Sequence, residues 1–243
     1  MTEAEWLTGT NSWAMWLFAR DRASRRKGLL FQAARGRTVW PFLADQRSRD
    51  LVLTAELFAD GLAPYEDLLI ATEASRAAGL ELRHAALARL GDARGKARTF
   101  VTEAFKSAAA AEVAQLSAAA VFRGSLLGDL QTDDPHDLSV EMLQEAFGVL
   151  TSNTTYLLRD IFGNPFRPIA FSPAWLTPAA VGLAEAIYAD RAFDRLPILA
   201  DALQDAGCED VDVLSHCRGD GPHVRGCWVV DGVLGKDERG TDR

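Results

Sequence analysis

The sequence predicts an all-α fold: a multi-helix bundle with two long central helices and a C-terminal helical subdomain. Three observations predict it. Apolar residues recur at steps of three and four through most of the chain. Capping residues open these runs, and glycine or proline follows them. No stretch of useful length alternates apolar and polar residues as a strand would.

The elements follow in order. Thr2 to Glu5 has the Thr-x-x-Glu pattern of a capping box, which opens a helix reaching about Leu7. Asn11 or Ser12 can cap the next, in which Trp13, Trp16 and Leu17 share a face. Ser24 can open a third with Leu30, Ala33 and Ala34, ended by Pro41. A fourth runs from Gln46 to Asp60 and closes at Gly61; a fifth starts at Pro64 and is expected to stop at Gly79.

Gly91, Asp92 and Gly95 read as a connection. From Lys96 to Gly128, Val101, Phe105, Ala109, Val113, Leu116 and Ala120 keep helical spacing. A second long helix is expected from Pro135 to Phe162, along Val140, Leu143, Phe147, Leu150, Thr154, Leu157 and Ile161, with a weak point near Asn153. Gly163, Asn164 and Pro165 end it.

Residues 164–177 read as an ordered loop with a short extended piece at Ile169 to Phe171. Thr177 and Pro178 begin a helix to Asp190. Leu196, Leu199 and Leu203 mark another, ending at Gly207. A short turn at Asp210 to Cys217 and a last helix from Pro222 to Leu234 complete the expected fold. This divides the chain into a short-helix region at 1–93, a long-helix pair at 94–163, a C-terminal helical subdomain at 164–235 and a polar tail at 236–243, with one continuous domain as the alternative.

At 48% hydrophobic and 25% charged, the composition is that of a globular protein. No apolar run reaches the roughly 20 residues a membrane-spanning helix needs. The opening residues carry Glu3 and Glu5 without the basic cluster of an export signal. Three cysteines are an odd count and too few for a disulfide framework, which points to a reducing compartment, the cytoplasm. A net charge of −8 disfavours nucleic acid and acidic lipid. The exception is local: Arg20, Arg22, Arg25, Arg26, Lys27, Arg35 and Arg37 stand against Asp21 alone.

All three cysteines fall with two histidines in one window: Cys208, His216, Cys217, His223 and Cys227. Cys208, Cys217, His223 and Cys227 form Cys-x8-Cys-x5-His-x3-Cys, the spacing of a three-cysteine, one-histidine zinc finger with its last two ligand types exchanged. On a helix, His223 and Cys227 would lie one turn apart on one face, as two ligands of a tetrahedral zinc need. Against zinc, the window lacks a tight Cys-x2-4-Cys knuckle, and Cys227 continues an apolar stripe with Val224, Val230 and Leu234, where a thiol packs as a small hydrophobe. Cys217 follows His216, and adjacent residues on a helix point about 100° apart, so His216 is poorly placed to take a proton from the thiol. Gly91 to Ala97 lacks the length and hydroxyl of a phosphate-binding loop. Asp133, Asp134, His136 and Asp137 read as a helix start rather than an ion site. No cofactor is expected from these patterns, with zinc as the alternative.

Two stretches carry a resemblance: Thr2 to Leu7, and the run Phe162 to Pro168, Ala192 to Asp201 and Gly221 to Asp231. Together they resemble an uncharacterised bacterial multi-copy family of helical proteins. The resemblance covers about a third of the chain and implies no activity. It also implies a cysteine group where this chain has Gln32-Ala-Ala-Arg-Gly-Arg37, so any metal site shared with those thiols would here be half lost.

The leading expectation is a non-catalytic helical binding or regulatory protein, with a protein partner favoured over nucleic acid. Trp13, Trp16, Arg25, Arg26 and Lys27 are the candidate contacts, since tryptophan and arginine dominate interface energetics, together with the loop 164–177. The second is a zinc-stabilised module using the C-terminal ligands, and the third an enzyme of unassigned chemistry.

Overall fold

The computed structural model describes residues 1–38, 40, 43, 45–92 and 148–236. Every regular element among them is helical and none is a strand, so the protein is all-α. The helices are α1 (Glu3–Thr8), α2 (Ser12–Arg20), α3 (Arg25–Thr38), α4 (Gln46–Ala59), α5 (Tyr65–Asp92), α6 (Gly148–Phe162), α7 (Pro178–Asp190), α8 (Leu196–Asp205), α9 (Val211–Arg218) and α10 (Trp228–Val233). The helix expected over 96–128 and the first part of the one expected from 135 lie outside the described residues. No helix among the described residues is long and apolar enough to cross a membrane.

The chain divides into two compact units, one of residues 1–31 and 152–243, the other of residues 32–151. In the first, caps start the helices where their chemistry demands. Thr2 and Glu5 form the reciprocal capping box, Asn11 caps α2, Thr177 with Pro178 starts α7, and Asp210 caps α9. Each side-chain oxygen takes an amide hydrogen that has no carbonyl one turn earlier. α6 passes through Asn153 without a break and ends at Phe162, where Gly163 takes a positive φ of 60°.

That end of α6 is held by its surroundings. Buried Lys27 donates to the Ile161 carbonyl at 2.6 Å, and the Trp6 indole donates to the Gly163 carbonyl at 2.8 Å. Arg159 returns hydrogen bonds to the carbonyls of Trp6 and Gly9. Trp16 stacks on Phe31 at 4.8 Å, and Phe162 closes the aromatic group. α7 to α10 enclose a core in which Ile187, Leu199, Leu203, Val213 and Val230 are fully buried.

In the second unit α4 packs along α5, with Leu51, Val52, Ala55, Leu68 and Ala78 buried and the Ser48 and Ser75 hydroxyls 3.1 Å apart. The expected stop at Gly79 is overturned, since α5 continues to Asp92. One glycine inside a helix costs about 1 kcal/mol, and burial of Leu68, Ser75 and Ala78 in the preceding turns offsets it.

Two C-terminal expectations are also corrected. The stretch 210–217 is a full helix, α9, not a turn. The helix expected from Pro222 begins only at Trp228. Gly226 at φ 96° breaks the helical path before it.

Candidate functional site

The first unit contains a compact group of ligand-type side chains. Asp160 lies in the last turn of α6, His216 in the last turn of α9, His223 in the loop between α9 and α10, and Cys227 at the N-cap of α10. One oxygen, two nitrogens and one sulfur from these residues all lie within 4.8 Å of one another. Asp160 and Cys227 are buried, and the two histidines are half-buried.

Asp160 is the hub. Its Oδ1 is 2.7 Å from His223 Nδ1 and 3.1 Å from His216 Nε2. Its Oδ2 accepts the Val224 backbone amide at 2.9 Å. His216 Nε2 is also 3.2 Å from Cys227 Sγ, and His223 Nε2 is 3.3 Å from the Gly219 carbonyl. The imidazoles meet edge-on at 4.8 Å, and Trp228 lies 5.2 Å from His216.

The electrostatics follow from burial and these contacts. Burial alone would raise the Asp160 carboxyl, but hydrogen bonds and charge from His216 and His223 outweigh it and hold the group below the usual carboxylate range. Burial would lower His223, but Asp160 and the Gly219 carbonyl outweigh it and hold the imidazole above its ordinary value. The thiols go the other way. Desolvation, with the Asp160 charge adding to it, carries Cys227 well above the ordinary thiol value and pushes Cys217 up to about 12. Cys208 is also raised by burial.

This arrangement is not a Cys-His-Asp triad. A triad histidine meets the nucleophile through one ring nitrogen and the carboxylate through the other. His216 presents the same Nε2 to both. A fully buried, protonated thiol is also a poor nucleophile.

Of the four metal ligands expected from sequence, the structure brings His223 and Cys227 into the group; Cys208 and Cys217 are fully buried in the core of α7 to α10. His223 and Cys227 meet through a loop and a helix cap, not one turn apart on a helical face. The expectation that His216 and Cys217 diverge holds, with Cys217 in the core and His216 in the group. Asp160 was missed. Its one signal was placement among Leu157, Leu158 and Ile161 on the buried face of α6, an unusual position for a carboxylate.

The five candidate partner contacts separate into two sets. Trp13 is 66% exposed, and Arg25 faces solvent. Trp16 stacks inside on Phe31, Lys27 is buried against α6, and Arg26 binds buried Asp231 at 2.6 and 3.1 Å and the Tyr188 hydroxyl at 2.6 Å. The loop 164–177 is anchored in part, through Asn164 to Glu3 at 2.7 Å and Arg167 to Glu3 at 2.8 Å.

Comparison of the chain with family models, curated proteins and solved structures returns no match.

Proposed function

We propose that this chain is a non-catalytic helical binding protein that engages a protein partner through the solvent face of α2. The observation that carries this reading is Trp13, 66% exposed, with Leu17 four residues on and 36% exposed. Residues at i and i+4 lie on one helical face, so the two form a continuous apolar stripe. Burial of an indole of this kind in a partner pocket contributes about 2 kcal/mol or more to association. Exposed Arg25 adds a charge-steering group at the start of α3.

The state of the thiols supports a surface role over chemistry. All three are free and buried, and burial raises each of them. Free thiols fit a reducing compartment, for which we propose the cytoplasm. A net charge of −8 favours a protein partner over nucleic acid.

The test is affinity capture with the intact chain beside a Trp13→Ala, Leu17→Ser variant. We expect a partner retained by the first and lost by the second, with circular dichroism and thermal midpoint unchanged. Identical partners for both would end the reading. Charge reversal at Arg26 or Lys27 is uninformative, because both hold the fold together.

A further inference from the structure

We infer that Asp160, His216, His223 and Cys227 are the four ligands of one divalent transition-metal ion of the zinc class, which fastens the α9–α10 loop to the end of α6. This goes beyond the proposed surface role and stands independently of it.

Donor chemistry comes first. One carboxylate oxygen, two imidazole nitrogens and one sulfur from three chain segments converge within 4.8 Å. This set suits zinc, which takes Cys, His and Asp together in four-coordinate sites. A tetrahedral zinc with ordinary bond lengths separates such atoms by about 3.3–3.6 Å. The closest pairs here stand at 2.7, 3.1 and 3.2 Å. The widest pair stands at up to 4.8 Å, so a bound ion would open the closest contact by about 0.6 Å and draw the widest pair in by up to about 1.2 Å.

Charge balance comes second. An ionised Asp160 and a Cys227 thiolate carry two negative charges, and two neutral imidazoles carry none. A divalent cation makes the buried group neutral, the state a low-dielectric site favours.

The outer partners supply the third argument. A metal-bound histidine usually donates its remaining N–H to a carbonyl or carboxylate, and a metal-bound carboxylate is itself hydrogen-bonded. His223 Nε2 faces the Gly219 carbonyl at 3.3 Å, which places the lone pair on Nδ1, the nitrogen turned into the group. Asp160 Oδ2 is held by the Val224 amide at 2.9 Å, leaving Oδ1 directed inward. His216 Nε2 has both an oxygen and a sulfur within 3.2 Å. One N–H cannot serve both well, whereas a metal bound to all three atoms satisfies them together.

With four protein ligands the ion has no open position, so the site belongs to the structural class and not to the hydrolytic one.

The test uses the full chain purified without chelator. We expect about one zinc per chain by elemental analysis, and after exchange a cobalt(II) form with the visible bands of a tetrahedral site and one thiolate-to-metal transition. X-ray absorption at the zinc edge should show one sulfur and three light scatterers. Cys227→Ala and His223→Ala should each lower metal content at least tenfold, while Cys208→Ala and Cys217→Ala should retain it. Should a ligand variant fail to fold, the cobalt and X-ray spectra of the unaltered chain decide alone. Less than about a tenth of a metal per chain with no cobalt uptake overturns the inference. So do spectra with two or three sulfurs, which would return the site to the cysteines.

Discussion

Asp231 is fully buried, and Arg26 meets it with two hydrogen bonds from 205 residues away in the chain. Removing one partner of a buried pair takes away much of what offsets the burial of the other charge. Arg26→Ala should therefore cost about 3–5 kcal/mol of stability in urea unfolding, while Arg20→Ala, whose pair with Asp21 lies at the surface, costs no more than about 1 kcal/mol. Equal effects would show that the pair does not form. Replacing both members with apolar residues, Arg26→Met with Asp231→Leu, should recover most of the loss. The sequence displayed seven basic residues in one stretch, and that excess is real. Which of them face water was not legible, because the answer depends on a carboxylate near the other end of the chain. The same holds for Asp160, whose only local mark was a charge among leucines.

Helix starts were the most legible features at the scale of elements, and the capping box at Thr2 and Glu5 forms as read. Local hydrogen-bond supply decides a cap, and every residue involved lies within three positions. Ends governed by packing were less legible, so α5 passes through Gly79 and α10 starts later than expected. α1 and α6 are joined by the Trp6 indole at the Gly163 carbonyl. Trp6→Phe keeps most of the buried ring and removes that donor. It should cost about 1–2 kcal/mol in thermal or urea unfolding, with the carbonyl left unsatisfied as the cause. An unchanged midpoint would mean that water replaces the indole and that the contact adds little.

On the whole-molecule scale, the first compact unit holds the Asp160 group entirely within itself. Metal binding to a folded site stabilises what it ties together. Hydrogen exchange in excess chelator should therefore accelerate for amides of α9, α10 and the last turn of α6, and leave α4 and α5 unaffected. Uniform acceleration, or none, would count against a local metal fastening. The division of labour between sequence and structure is clearest here. An all-α protein and most helix starts follow from local sequence, because periodicity and caps depend on residues within about one turn of each other, and the grouping of cysteine and histidine near the C-terminus is visible in the sequence itself. Only tertiary structure chose among those ligands and brought in Asp160, which meets His223 across 63 positions of sequence. Tertiary contacts of Asp160 with His216 on α9 and with His223 and Val224 in the following loop make that encounter, and helical periodicity carries no information about it.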